Sequence, residues 1–195
     1  MLSFDEYLRL AEAAHGHICA GQILGLRMAI HGLELLGLDD PTGLHRKRLV
    51  TFVEIDRCAT DAISVVTGCR LGKRALKFRD WGKVAATFAD LESGRAVRLA
   101  ALESSKQKAD EMFPDLPSRN ERQMRAYREL PAAALFSHRW VRVHVGPEEL
   151  PGFKSPRAVC SECGEGVNFR KEVLREGRIL CRACAGERYW EEIDA

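Results

Sequence analysis

Leu49-Val50-Thr51-Phe52-Val53-Glu54-Ile55, followed at once by Asp56-Arg57-Cys58, decides the fold class of this chain. The first seven residues are rich in β-branched and aromatic side chains and read as a strand with a buried face. Helical spacing follows over Ala59–Thr67 and is stopped by Gly68. A strand that gives way to a helix and is followed by further strands points to an α+β fold with a mixed sheet. Cys58 then stands at a helix N-terminus, where backbone N–H groups and the helix dipole favour an anion. A thiol there is expected to have a lowered pKa, which suits a metal ligand or a nucleophile.

Downstream, Ala75–Arg79, Lys83–Ala89 and Ala96–Ala101 read as strands separated by the turns Asp80-Trp81-Gly82 and Glu92-Ser93-Gly94. This meander makes the remaining pairings antiparallel. Glu103 to His138 reads as helix, broken by Pro114 and Pro117, with a capping box at Ser118 and Glu121. Within it, Leu130–Phe136 is apolar enough to pack on the sheet or on another copy of the chain. Trp140–Val145 alternates apolar and basic residues, as a half-solvated strand does. His138 and His144 read as surface or core side chains.

Upstream, Ser3 and Glu6 form a capping box for a helix that carries Phe4, Tyr7, Leu8, Ala11 and Ala14 and ends near His15. A second, largely buried helix is expected over Ile23–Leu36, closed by Gly37, with Arg27 inside it. Between the two lies His15-Gly16-His17-Ile18-Cys19-Ala20-Gly21. Alternate side chains of an extended segment point to one side, so two imidazoles and a thiol could converge on a metal such as zinc. The other reading is a histidine-rich connector with Cys19 as a small buried hydrophobe. Asp61, one turn past Cys58, suits either a proton acceptor or a first-turn acid favoured by the dipole. Cys69 lies in the glycine-punctuated turn Gly68–Lys73, which lacks P-loop spacing, and reads as a third thiol of the site or as a buried side chain.

The 195 residues suffice for one core and a small appendage, and a formal net charge of +2 gives no global field for nucleic acid or anionic membrane. No apolar run approaches the roughly 20 residues that span a bilayer. The acidic start, Met1-Leu2-Ser3-Phe4-Asp5-Glu6, does not look like a signal peptide, so a cytoplasmic location is expected. Seven cysteines, four of them in Cys-x-x-Cys pairs, favour metal ligands or reactive thiols over a disulfide framework.

The strongest motif is at the other end. Cys160-Ser-Glu-Cys163 and Cys181-Arg-Ala-Cys184 are two knuckles with the spacing of a structural zinc site. A hairpin of Phe169–Val173 with Arg178–Leu180, then a helix over Ala185–Ile193 with Tyr189 and Trp190 covering the metal, would make a treble clef. The glycines and prolines of 146–156 have linker composition. Three parts follow: a core domain over 1–146, a linker over 147–157 and a finger over 158–195. So few apolar residues in the last part would hardly fold without the metal.

Taken together, His15–Gly21 with Gly25 and Arg27-Met28, Glu54, Cys58-Ala59-Thr60-Asp61-Ala62-Ile63, Thr67–Lys73 and Asp80-Trp81-Gly82-Lys83 resemble the FmdE family, proteins associated with formylmethanofuran dehydrogenase, over roughly residues 10–100. Some members of that family append a zinc finger. Ala20 stands where the family usually has proline, and Arg74-Ala75 where a Gly-Asn pair is common. The resemblance implies a thioredoxin-like α+β core with a mixed five-stranded sheet flanked by helices. It also implies a metal site of His17, Cys19 and Cys58, holding zinc or another divalent transition metal. His15, Asp61, Cys69 and Lys73 would stand nearby as proton acceptors or substrate-facing groups. A homodimer is expected from the family and from Leu130–Phe136. Association with a formylmethanofuran dehydrogenase-like or molybdoenzyme system follows from the family's operon. The chain lacks the closely spaced cysteines of an iron–sulfur protein, so it cannot be the redox-catalytic component by itself.

Four functions follow in order: a metal-binding accessory protein, a metal-dependent enzyme acting on an unknown substrate, a thiol redox protein using Cys58 with Cys19 or Cys69, and a zinc-finger regulator that binds nucleic acid. The near-balance of charge in the finger argues against the last.

Overall fold

Ser3 opens α1 (Phe4–His15) as its sequence predicts: its hydroxyl accepts the Glu6 N–H, and the Glu6 carboxylate accepts the Ser3 N–H at 2.8 Å. Gly16 ends the helix in the left-handed region at φ 91°. The next helix, α2 (Ala20–Leu36), starts three residues before its hydrophobic pattern, because extended Cys19 serves as its N-cap. Ile23, Leu24, Leu26, Met28, Ala29 and Leu33 are buried along it, so α2 is the central rod of the core. Arg27 is spent on structure. Its guanidinium donates to the carbonyls of Tyr127, Arg128 and Leu130, each at 2.8 Å, at the end of a later helix whose last carbonyls have no partner of their own.

In this computed structural model, which describes residues 1–193, the chain divides into two units, Met1–His144 and a second beginning at Val145. In the first, β1 (Leu49–Val53), α3 (Cys58–Thr67) and β2 (Leu76–Phe78) make a crossover that returns the chain parallel to β1. β3 (Ala85–Asp90), β4 (Ala96–Ala101) and β5 (Phe136–Val141) add antiparallel pairings, giving a mixed five-stranded sheet in the order β2-β1-β3-β4-β5. Arg74 closes the turn before β2 with φ 58°, a left-handed backbone at the position where a small residue would be unstrained.

Leu49, Val53, Ala86, Phe88, Val97 and Leu99 share one sheet face and join the apolar sides of the helices in one core. Val50, Phe52, Thr87 and Arg98 alternate with them onto the other face and stand outside that core. Two ion pairs with buried carboxylates and partly exposed arginines tie this sheet: Arg48 to Asp90, and Arg98 to Glu54.

After β4 come α4 (Ser104–Met112), α5 (Arg119–Glu129) and the single turn α6 (Ala132–Leu135). This region departs from the expectation. Helix does not continue to His138, and the last strand is Phe136–Val141 rather than Trp140–Val145. Leu130 takes an extended conformation before Pro131, as the proline ring requires, and the chain then pairs with the whole of β4. Leu130, Leu135 and Phe136 are buried within this chain's own core, while Pro131 and Ala133 of the same stretch are exposed.

The second unit carries a hairpin of β6 (Ala158–Val159) with β7 (Gly166–Val167) and another of β8 (Val173–Arg175) with β9 (Arg178–Leu180). β8 starts at Val173, four residues past the expected Phe169, because Phe169 and Arg170 take left-handed backbone at φ 59° and 55°. The expected helix over Ala185–Ile193 is absent among the described residues. Gly186 at φ 103° interrupts it one residue in, and no apolar stripe follows to compensate. Tyr189 is 95% exposed and covers nothing, so the treble clef lacks its final helix.

Candidate metal centres

The N-termini of α2 and α3 meet, and the meeting is made by an absent side chain. A Cβ on Gly25 would lie 2.8 Å from the Ala59 Cα, and one on Gly21 would lie 3.4 Å from the Cys58 Cβ. The first of these would clash and the second is an ordinary contact, so it is the hydrogen at Gly25 that lets the two helices approach closely enough to bring Cys19, the N-cap of α2, beside Cys58, the first residue of α3. Burial first, then the neighbouring Cys19, push the Cys58 thiol up; the Cys58 backbone N–H and Arg57 pull the other way and are outweighed. The lowering expected for a thiol at a helix N-terminus is therefore reversed in the metal-free protein.

A cleft of about 370 Å³ opens over Cys58, with His15, Asp61 and Thr60 on its walls. His15 comes from the last turn of α1, and its Nδ1 lies 2.8 Å from the Asp61 Oδ2. A histidine held this way keeps Nε2 exposed as an acceptor or ligand atom. The His17 ring stands against that of His15, with centroids 4.9 Å apart, but is solvent-exposed and does not line the cleft. The donor atoms of His17, Cys19 and Cys58 are not drawn together as the four finger sulfurs are. Among the described residues, only those four form a set of three or more ligand atoms within 4.8 Å of one another.

Two residues expected near this site lie elsewhere. α3 spans ten residues, about 15 Å, and Cys69 and Lys73 follow its far end. Cys69 is buried in the core, with its Sγ accepting from the Thr51 hydroxyl at 3.5 Å and donating to the Leu49 carbonyl at 3.6 Å. Burial pushes its thiol up. Leu49 begins β1 whereas Cys58 follows its end, so the strand and helix together hold Cys69 away from the cleft. Lys73 is exposed in the single 3-10 turn that follows.

The second centre is closed. Cys160, Cys163, Cys181 and Cys184 converge, and the Sγ atoms of Cys163 and Cys181 are 3.9 Å apart. Zn–S bonds of about 2.3 Å in a tetrahedron place sulfurs about 3.8 Å apart, so the set fits zinc. In the second knuckle an amide turns inward: the Cys184 N–H donates to the Cys181 Sγ at 3.4 Å. Backbone N–H groups, those of Cys163 and Cys181 foremost, lower the Cys160 thiol to about 6. Burial and the neighbouring thiols push Cys184 up to about 12. Four sulfurs so close cannot all ionise unless a cation joins them.

Comparison with known proteins agrees with both halves. Residues 14–137 match the family described as FmdE, molybdenum formylmethanofuran dehydrogenase operon, and residues 153–189 match the prokaryotic dksA/traR C4-type zinc finger. A probable S-adenosyl-L-methionine-binding protein of Archaeoglobus fulgidus is 29% identical over 198 residues, covering 92% of this chain and 52% of its own length. The chain thus spans about half of that relative. The crystal structure of a tungsten formylmethanofuran dehydrogenase FmdE-like protein from Syntrophus aciditrophicus superposes with a TM-score of 0.65 at 23% identity, covering 97% of this chain and 96% of that one. That likeness shows the α+β fold. No helix of the described residues is long and apolar enough to cross a membrane.

Proposed function

The chain belongs to the FmdE family, and on that premise we propose that it is a metal-binding accessory protein with two unlike metal centres. The finger holds a structural zinc on Cys160, Cys163, Cys181 and Cys184. The core holds zinc or another divalent transition metal on Cys19, Cys58 and the imidazole of His17, with a position open to the cleft. The observation that carries the core reading is the neighbouring thiols of Cys19 and Cys58 at the meeting of two helix N-termini, where metal binding would displace the thiol protons. His15, held by Asp61, stands where it can take a proton from a ligand in the open position. A metal there would polarise that ligand. The partner expected from the family, a formylmethanofuran dehydrogenase-like system, belongs to the same reading.

Metal analysis of protein purified without oxygen tests it. Two equivalents are expected in the wild type and one in each of Cys58→Ala and Cys181→Ala. If Cys58→Ala retained both, the core centre would be wrong. His17→Ala is expected to lose the core metal and His15→Ala to retain it; the reverse result would move the imidazole ligand to His15.

The same pairing of Cys19 with Cys58 favours one alternative, a dithiol that cycles through a disulfide. It predicts one metal equivalent in the wild type and a reversible cross-link between positions 19 and 58 on mild oxidation.

A further inference from the structure

The sheet face turned away from the helical core carries a second cleft, lined by none of the cysteines. It has a volume of about 300 Å³, at the small end of ligand pockets. Phe52 lies on its floor and Trp81 on its wall. The wall is fixed to the end of β1: the N–H groups of Trp81 and Lys83 both donate to the Glu54 carbonyl, at 3.2 and 3.0 Å, and that of Arg79 donates to the Val53 carbonyl at 2.9 Å. Trp81 is nonetheless 61% exposed. The Lys83 ammonium stands 5.9 Å from its ring centroid, and the rest of the flat ring is a surface on which another ring can stack.

Charge in the cleft is one-sided. Glu54, 3% exposed, is fully engaged by Arg98, whose Nε and Nη2 each donate to one carboxylate oxygen at 2.6 Å. That fork leaves the Nη1 hydrogens of Arg98 unspent. Arg142 lines the same cleft and makes no ion pair among the described residues. The Thr87 hydroxyl adds a donor beside Phe52, its neighbour across the strand pairing. An orienting carboxylate, two guanidinium groups with donors to spare and a flat exposed ring are the parts from which a site for an anionic aromatic molecule is built.

From this arrangement we infer that the cleft binds a small molecule in which a flat ring carries a phosphate or carboxylate, the ring against Trp81 and the anion between Arg98 and Arg142. Glu54 is a positioning residue: it touches no ligand and holds the Arg98 fork with its free edge toward the cleft. A ligand of about mononucleotide size suits a cleft of about 300 Å³. This site does not depend on a metal in the core.

Calorimetric titration of the full chain tests the inference, with adenosine monophosphate and benzoate as charged rings and adenosine and inorganic phosphate as their separated halves. At least one charged ring is expected to bind about tenfold more tightly than either half. Arg142→Ala is expected to weaken the charged ring about tenfold and adenosine little. Trp81→Ala should weaken the charged ring by a similar factor and leave phosphate unchanged. Trp81 and Arg142 are both exposed and neither belongs to the core, so both variants should keep the wild-type Tm. No binding of either charged ring at about 1 mM would overturn the inference. So would binding that neither variant alters.

Discussion

The two cysteine centres solve one problem in opposite ways. In the finger, each pair of ligands is spaced by two residues, and a knuckle delivers both sulfurs whatever the rest of the chain does. In the core, the paired thiols come from positions 19 and 58, thirty-nine apart, and meet because α2 and α3 pack closely at Gly25. The finger has few apolar side chains to bury; Cys160 and Leu180 are its buried hydrophobic residues among those described. The core holds a full apolar cluster around α2. A local site can borrow its fold from the ion, whereas a site assembled over distance must be given its fold by packing.

The largest test of that contrast removes the ion. Cys181→Ala, or a strong chelator, is expected to abolish protection from hydrogen exchange across residues 158–185 and leave residues 1–144 as protected as before. Loss of protection in both would show that the core also depends on metal.

Acid should separate the centres next. Asp90 accepts from Arg48, Ser93 and the Glu92 N–H, and the Arg48 guanidinium first of these holds its carboxyl well below the usual carboxylate range. A depressed folded-state pKa contributes stability that is complete above the unfolded value, near 4, and lost as pH falls toward the folded one. The core should therefore weaken only below about pH 4, while the finger releases its metal at higher pH as its thiolates protonate. Asp90→Asn is expected to cost the core about 2 kcal/mol at neutral pH, less than a fully buried pair because Arg48 keeps part of its side chain in water. Urea denaturation followed across pH measures both effects, and the variant's acid sensitivity should be reduced.

Gly25→Val attacks the packing itself. Overpacking against Ala59 should cost about 2 kcal/mol and separate the N-termini of α2 and α3. Oxidative cross-linking of Cys19 to Cys58 should then fall, and finger zinc should be unchanged. The smallest effect is electrostatic. In metal-free protein, Cys19→Ala removes two of the three causes that raise the Cys58 thiol, so its pKa should drop toward the ordinary value, with burial still holding it up. The pH dependence of Cys58 alkylation reads this directly.

Much of the fold was legible because its signals are local. Ser3 with Glu6, Ser118 with Glu121, and Gly37 and Gly68 mark helix ends through contacts within a few residues, and all four act as read. β1, β3 and β4 follow from short β-branched and alternating runs. The failures share a cause as well. Phe136–Val141 pairs as a strand because β4 offers a free edge, which no window around residue 136 contains. Arg27 reads as an odd charge in an apolar helix until the end of α5 supplies three carbonyls. The family resemblance implies that Cys69 stands near Cys58, and the length of α3 separates the two. The helix expected after Cys184 fails on one residue, Gly186.

By itself, the sequence determined the four zinc ligands, the class of the fold and the candidacy of Cys19 and Cys58, because knuckle spacing, side-chain periodicity and helix position are properties of neighbouring residues. Only the tertiary structure decided that the two core thiols are neighbours, that His15 faces Cys58 while Cys69 and Lys73 do not, and that Phe52, Trp81, Arg98 and Arg142 share a cleft. Each of those depends on how helices and strands distant in the chain approach one another. That approach is set by volumes at the packing surface, here by the absence of a Cβ on Gly25.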